Sequence, residues 1–462
     1  MNNTLTLGFL PAHRGFFDAG LSRAARGEIL DAAKNIGIRM VVPEGEHFAH
    51  GCVGTLEEAA ACADLFSAAR VDGVLVSAVN FGDEQAVALA LRGLGVPVLI
   101  HGCQEDGALT KGSKRRDSFC GLLSIADALR QCGIRYSVPS VPVSHPGSED
   151  FSRDLRNFVG VCLVVAGLRR ARYGQAGARP DAFWTCRFDE RALQRLGPTT
   201  VTRDLSEILA RCASVSEAEA AAVDFGAAVS SLPASAKLKL AQMEITLKEW
   251  IAAANLDALA IQCWTSMEHN FGICPCLPMS RLSDLGIPAA CEADVLGAMS
   301  MHALASATRQ PTALADWNNL HHQDPNLVNL WHCGVYPASM ASNTPLAGIH
   351  SILPKAGACS EEQAYGVLNL KVRASEATLC RIAQDENGVW RALIVEGNFV
   401  EDPAETEGGF GWCRIANLRH LYRDTLLRHF PHHVAFTLAA AGDVLEEALG
   451  NYMGMTVHRH EG

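Results

Sequence analysis

Short apolar runs alternate with helical stretches over the first 140 residues, and this alternation limits the fold more than any other feature of the sequence. The apolar runs read as strands over 5–10, 39–42, 73–77, 96–100 and 134–138. The stretches between them predict helices over 17–35, 56–68, 84–94 and 122–132. Strands that alternate with helices through short loops predict a doubly wound parallel sheet.

The later chain changes character twice. A segment rich in Pro, Ser and Val over 139–149 reads as a linker, and strand–helix alternation then resumes. Near the C-terminus apolar residues recur with period two, and Asp385-Glu386-Asn387-Gly388 is a hairpin signal. We therefore predict an α/β fold of two doubly wound domains followed by a β-rich one: a flavodoxin-like domain over 1–145, a second α/β domain over 146–345 and a β-rich domain over 346–462.

The charge balance argues against nucleic acid and membrane partners. Asp and Glu number 50 against 39 Lys and Arg, and the basic cluster Lys114-Arg115-Arg116 is short. No uncharged apolar stretch reaches the ~18 residues of a spanning helix, and Met1 to Leu5 do not begin a signal peptide. The 16 cysteines are scattered, as expected for reduced thiols in a cytoplasmic protein. Nucleotide motifs of the GxGxxG or GxxxxGK[ST] type are missing.

Three later segments place polar side chains at the ends of apolar strands. Glu292 and Asp316 each follow such a strand, where open α/β sheets place ligands, and His432 and His433 open another. Each also has a structural explanation when taken alone. Glu292 can complement the dipole of the next helix, and the histidines can be hydrogen-bonded where the chain enters the core. Asp294 begins the same helix, and we assign it that structural role only.

Two carboxylates and one imidazole together suit a hard divalent cation. Such a cation can bind two adjacent hydroxyls of a sugar, polarise O1 and O2 of an open-chain aldose and lower their pKa. A carboxylate on each side can then move a proton between C1 and C2 through a cis-enediol.

Residues 257–335 resemble the second domain of the L-fucose isomerase and L-arabinose isomerase superfamily. In that family a metal-binding Glu at a strand end is followed, about two dozen residues later, by a metal-binding Asp or Glu, as Glu292 and Asp316 are here. The family's metal-binding His comes from a short strand near the chain end, which matches His433, with His432 as the alternative. His332 resembles a further His of the arabinose-type enzymes, and the fucose-type enzymes lack it, so a ligand role and a substrate contact both stay open.

The resemblance implies a cytoplasmic, metal-dependent aldose–ketose isomerase acting on an open-chain or modified sugar, which includes deoxy and sulfonated sugars. It implies Mn²⁺ as the metal, with Mg²⁺ or Co²⁺ as substitutes, and Glu292 and Asp316 as the proton-transfer pair. Trp264, Trp317 and His432 are expected to contact the substrate, and Arg14 is expected to contact the substrate of a neighbouring subunit. A core role is the leading alternative for both tryptophans, and a solvated loop is the alternative for Arg14.

The family's assemblies are commonly hexamers, so we expect a homo-oligomer with active sites near subunit interfaces. Two other functions stay open on the same scaffold. One is a non-catalytic sugar-binding or regulatory protein, against which the two carboxylates argue. The other is an epimerase or a lyase acting on a sugar acid.

Overall fold

The computed structural model describes residues 5–460, so the first four residues of the segment tested for a signal peptide lie outside it. Contacts divide the chain into an N-terminal unit ending at Ala166 and a C-terminal unit beginning at Gly167. Within the described residues, no helix combines the length and apolar character that crossing a bilayer requires.

The N-terminal unit is built on a parallel sheet of five strands, in the order β2-β1-β3-β4-β5. The strands are β1 (Leu7–Ala12), β2 (Met40–Val41), β3 (Gly73–Ala78), β4 (Val98–Cys103) and β5 (Val143–Ser144). The helices are α1 (Ala19–Asn35), α2 (Leu56–Ala69), α3 (Glu84–Leu91), α4 (Ser118–Gln131) and α5 (Glu149–Arg170), the last of which runs past the end of the unit. Every residue of β1, β3 and β4 is buried, as expected for central strands of a parallel sheet.

The last strand of this sheet differs from the prediction. No strand forms over 134–138; Ser137 makes only an isolated bridge to Leu99. Ser137 donates to the carbonyl of Val98 and accepts from the amide of Ile100, but the next ladder bond would need an amide hydrogen that Pro139 lacks. Pairing with β4 resumes at Val143–Ser144, inside the segment that we predicted to be a linker.

The C-terminal unit begins with a second parallel sheet of four strands, in the order β7-β6-β8-β9. Its strands are β6 (Arg172–Ala176), β7 (Thr199–Arg203), β8 (Ala258–Ile261) and β9 (Ala289–Cys291). The helices along it are α6 (Glu190–Leu196), α7 (Leu205–Ser214), α8 (Glu217–Ala221), α9 (Ala234–Ala254), α10 (Ser266–Asn270), α11 (Cys276–Asp284) and α12 (Val295–Thr308). Helix α12 begins where β9 ends, and it is buried along most of its length.

A mixed sheet of nine strands completes this unit, in the order β12-β13-β16-β11-β10-β17-β14-β15-β18. The strands are β10 (Thr312–Leu320), β11 (Leu327–His332), β12 (Leu346–Ile349), β13 (Tyr365–Lys371), β14 (Ser375–Gln384), β15 (Trp390–Val400), β16 (Gly409–Arg414), β17 (His433–Thr437) and β18 (Thr456–His460). Helix α13 (Leu418–Leu427) precedes β17, and α14 (Gly442–Glu446) continues into a π-helical turn, Glu447–Tyr452. Because β15 also pairs with β16, six antiparallel strands close into a ring, which we call the six-stranded ring.

The predicted fold class is confirmed, with parallel α/β sheets followed by a β-rich C-terminal region and the predicted hairpin joining β14 to β15. The boundaries that we placed at 145 and 345 stay a prediction. Strands β10 and β11, which precede 345, pair with strands of the C-terminal region. Apolar residues from both sheets of the C-terminal unit pack into one continuous core, in which Leu259 of β8 and Phe436 of β17 are fully buried.

Gly366 in β13 is expected to tolerate no side chain. Its φ is +120°, and a Cβ there would lie 2.1 Å from the carbonyl oxygen of Cys274. We predict that Gly366→Ala lowers the free energy of unfolding by about 3 kcal/mol, because it adds a backbone clash to a strained φ. Gly388→Ala is the matched control in the hairpin turn, with φ +75° and only an ordinary contact of 3.5 Å between the added Cβ and Oδ2 of Asp189, and it is expected to cost about 1 kcal/mol. Urea denaturation measures both, and equal losses would contradict the prediction.

Glu268 in α10 is a buried carboxylic acid that forms no ion pair with any residue the structure describes. Its Oε1 accepts a hydrogen bond from the Cys274 thiol, its Oε2 has no partner among the described residues, and burial raises the pKa of Glu268 to about 7. A raised carboxyl pKa means that the folded state keeps the proton to a higher pH than the unfolded state does. Stability from this group is therefore present below the unfolded pKa of about 4.5 and is lost as pH rises toward 7.

We predict that Glu268→Gln removes this loss, because the neutral amide does not ionise. The unfolding free energy of the variant minus that of the wild type should increase by about 2–3 kcal/mol when the pH is raised from 5 to 8. Urea denaturation at both pH values measures it. A difference between the two proteins that does not change with pH would contradict the prediction.

Candidate metal centre

Four polar side chains of the C-terminal unit converge at one point: Glu292, Asp316, His332 and His433. Nε2 of His433 lies 2.9 Å from Oε2 of Glu292 and 3.5 Å from Oδ1 of Asp316. Ligand atoms of Glu292, His332 and His433 all lie within 4.8 Å of one another. The structure therefore brings together the residues that the sequence singled out from separate segments.

Glu292 is presented by an unusual turn between β9 and α12. Glu292 and Ala293 both adopt left-handed backbone conformations, with φ values of +63° and +54°. Neither residue is glycine, so this turn is strained, and such strain is concentrated at functional sites. The indole N–H of Trp264 donates to Oε1 of Glu292 at 2.9 Å, which leaves Oε2 facing His433.

Asp316 and His433 are placed by strand pairing. They lie directly opposite each other in the antiparallel pair β10–β17. Opposed residues of such a pair project on the same side of the sheet, so the register alone brings the carboxylate and the imidazole together. Asp316 lies inside β10, which continues to Leu320, and not at its end as the sequence suggested.

Asp294 has a role in the site that the sequence analysis missed. Besides capping α12 through the amide of Gly297 at 2.8 Å, it contacts Nδ1 of His433 at 2.7 Å. Arg381 of β14 contacts both of its oxygens, at 2.6 and 3.2 Å, and all three side chains are almost fully buried. Nothing in the sequence links Asp294 to Arg381. The available signal was a second carboxylate two positions after a candidate ligand.

These contacts fix the charge of the carboxylates and the orientation of His433. Burial opposes the charged form of Asp294, but Arg381 and His433 outweigh it and hold the pKa of Asp294 well below its usual value. Burial likewise opposes ionisation of Glu292, yet contacts with His433, His332 and Trp264 lower its pKa. For His433, contacts with Asp294, Cys186 and Glu292 outweigh burial and raise its pKa well above the usual value. An ionised Asp294 accepts the Nδ1 proton of His433 and directs Nε2 into the site.

Unpartnered polar atoms test whether this site fits a metal ion. Oε2 of Glu292, Oδ1 of Asp316 and Nε2 of His433 are buried, and none has an aligned hydrogen bond to another described residue. Buried polar groups without partners are costly, and a cation bound at this point would satisfy all three. Neighbouring ligands of an octahedral ion with bonds of 2.0–2.1 Å are about 3 Å apart. The observed separations of 2.9 and 3.5 Å, and a donor set of two carboxylates and one imidazole, fit a hard divalent cation.

The other predicted contacts are placed differently. His432 lies at the rim, with Nε2 3.6 Å from Oδ1 of Asp316 and a side chain 41% exposed. Phe183, which the sequence did not single out, packs edge-on against His432 and Trp264, with ring centroids 5.5 and 5.2 Å away. Trp264, which also donates a hydrogen bond to Glu292, thus belongs to the same group of packed rings as Phe183 and His432.

The surroundings of Trp317 and Arg14 add no support to the prediction that these residues contact the substrate. The half-buried Trp317 follows Asp316 in β10, and its indole N–H has no partner among the described residues. Arg14 belongs to the N-terminal unit, where it pairs with Glu84, donates to the carbonyl of Gly82 at 2.7 Å and lies over Phe81. Substrate contact by either residue stays a prediction.

Comparisons with known proteins match both ends of the chain. Residues 8–169 match the family described as fucose/sulfoquinovose isomerase, N-terminal domain. Residues 330–461 match the L-fucose isomerase C-terminal domain, which includes His332 and His433.

Three curated relatives are named sulfoquinovose isomerase. Those of Priestia aryabhattai and Priestia megaterium are each 25% identical over 410 residues, covering 87% of this chain and 86% of theirs. The protein of Alkalicoccus urumqiensis is 25% identical over 346 residues, covering 73% of this chain and 74% of its own. Two domain models and relatives that align over most of the chain agree with the resemblance in the sequence, and the chain therefore belongs to the L-fucose isomerase-like superfamily.

Proposed function

We propose that this chain is a metal-dependent isomerase that interconverts the aldose and ketose forms of a sulfonated sugar, with Mn²⁺ as the first metal to test. Its expected enzyme class, an aldose–ketose isomerase, agrees with its family and its relatives. The metal requirement is supported by one observation above all, the three unpartnered ligand atoms of Glu292, Asp316 and His433 at one buried point.

The substrate proposal comes from the relatives. All three are named sulfoquinovose isomerase, so sulfoquinovose, a sulfonated hexose, is the first sugar to test. The alternative functions that the sequence left open, a binding protein, an epimerase or a lyase, gain no specific support from the site.

The proposed reaction moves one proton between neighbouring carbons. When bound, a divalent cation polarises the oxygens on C1 and C2 and lowers the pKa of the hydroxyl. Glu292 is ionised and held by Trp264, so it is placed to accept the proton from C2 as O1 gains one, which gives a cis-enediol. Return of a proton to C1, with loss of the proton on O2, gives the ketose. Asp316, whose Oδ1 lies 3.5 Å from Nε2 of His433, is the candidate for the hydroxyl protons.

A sugar panel tests the proposal. The purified chain is incubated with Mn²⁺ in D₂O, with sulfoquinovose, L-fucose, L-arabinose and D-glucose in parallel, and products are followed by NMR. We expect a ketose from sulfoquinovose, with deuterium at C1 of the product. A product with inverted C2 and no ketone would indicate an epimerase. No turnover of any sugar with Mn²⁺, Mg²⁺ or Co²⁺ would contradict the proposal.

Assembly and location also belong to the proposal. The family resemblance supports a homo-oligomer whose neighbours help to complete the active sites, and the cysteine pattern supports a cytoplasmic protein with reduced thiols. Light scattering on the purified chain measures the number of subunits.

A further inference from the structure

Four side chains converge at the site, and one of them, His332, makes a hydrogen bond that does not suit a metal ligand. The side chain is 1% exposed, and its Nδ1 accepts a hydrogen bond from the backbone N–H of Cys333 at 2.9 Å. A ring nitrogen of His332 lies within 4.8 Å of ligand atoms of Glu292 and His433, and its Nε2 is buried with no partner among the described residues.

The Cys333 contact fixes the tautomer of His332. A neutral imidazole has one nitrogen that donates and one that accepts. A backbone amide can only donate, so Nδ1 must accept and the proton of the neutral ring lies on Nε2. A protonated nitrogen has no free electron pair for a metal. Binding an ion through Nε2 would move the proton to Nδ1, where it would oppose the N–H of Cys333 and leave that amide without its bond.

His433 has the opposite arrangement. Its Nδ1 lies 2.7 Å from the carboxylate of Asp294, so in the neutral ring, the form that can bind a cation, the proton belongs on Nδ1 and the electron pair of Nε2 is directed at Glu292 and Asp316. The two rings lie close, with centroids 5.8 Å apart. One histidine is thus prepared to bind a cation, and its neighbour is prepared to donate a hydrogen bond.

We infer that His332 is not a metal ligand but a catalytic hydrogen-bond donor, whose Nε2–H binds the sugar oxygen that becomes negative as the enediol forms. This rests on the proposed isomerase function. The donor is buried and already oriented, so it need not reorganise when charge develops on the oxygen. A hydrogen-bond donor of this kind stabilises the transition state more than it stabilises the bound substrate. Its loss should therefore lower kcat more than it raises KM.

Pulsed EPR of the Mn²⁺-loaded protein tests the ligand count without relying on activity. We expect one coordinated imidazole nitrogen in the wild type, identified with ¹⁵N-histidine labelling. The same single nitrogen should persist in His332→Leu, with Mn²⁺ affinity changed less than about threefold. Two coordinated nitrogens in the wild type, or the loss of one in His332→Leu, would overturn the inference.

Kinetics test the donor role with the sugar that the wild type converts. We expect His332→Leu to lower kcat about 100-fold or more with a much smaller change in KM. His332→Gln keeps an N–H donor at a similar distance along the side chain and should recover at least a tenth of the activity. An unchanged kcat in His332→Leu would overturn the donor role. A wild type that binds none of Mn²⁺, Mg²⁺ and Co²⁺ would overturn the proposed function and this assignment together, whereas two imidazole nitrogens would overturn this assignment alone.

Discussion

Glu292→Gln is expected to abolish both metal binding and isomerase activity. The amide keeps the size of the side chain and can still accept the N–H of Trp264, so the fold should be preserved. It loses the negative charge that a divalent ion needs and the base that the proposed reaction uses. We expect kcat/KM to fall about 1,000-fold or more, and the bound Mn²⁺ to fall below a tenth of an ion per chain. Elemental analysis and ketose formation measure the two effects.

Glu268→Gln is the matched control for this variant. Glu268 is a buried glutamate in the same unit, and it lies outside the three groups of described residues that could hold an ion. The same chemical change there should leave Mn²⁺ content and activity close to those of the wild type. If Glu292→Gln kept its metal, or if both variants lost it equally, the assignment of Glu292 as a ligand would be wrong.

Asp294→Asn is expected to produce the second large effect, although Asp294 is not proposed to touch the metal. The amide can still cap α12, but it no longer carries the charge that holds the Nδ1 proton of His433. Loss of such a partner typically costs 10–100-fold in metal affinity, and we expect a Mn²⁺ dissociation constant raised by about that factor. The variant also leaves the buried guanidinium of Arg381 without its counter-charge, which should cost about 3–5 kcal/mol of stability.

A double variant separates these two consequences. In Asp294→Asn/Arg381→Met both charges are gone, so most of the lost stability should return. The Mn²⁺ affinity should stay low, because His433 still lacks its carboxylate. Urea denaturation measures the stability of the single and the double variant, and calorimetric titration measures their affinity for Mn²⁺. If affinity recovered together with stability, Asp294 would have only a structural role, as the sequence alone suggested.

Local patterns in the sequence account for the parts of the fold that were predicted. Periodicity located the first four helices and the first four strands, and the spacing of Glu292 and Asp316 pointed to two side chains that do lie together around His433. The strand predicted over 134–138 failed because one proline removes one ladder bond. Such a local rule can override an apolar pattern.

The remaining features depend on pairings between distant segments. Arg381 meets Asp294 across 87 positions, and β15 pairs with β16 only because the sheet curves back on itself. No local pattern encodes either contact. Phe183 was missed for the same reason, since nothing in its own segment shows that it packs against Trp264 and His432.

The six-stranded ring has a consequence for how this site can change over evolutionary time. Strands β10 and β17, which carry Asp316 and His433, have a paired neighbour on each side. A shift of either strand by one residue would turn all its side chains to the opposite face and break pairing on both sides at once. The two ligands are thus held in place by the whole ring, while the loops that carry Phe183 and Trp264 lie outside its strand pairing. New sugar preferences should arise by substitution in those loops around an unchanged pair of ligands.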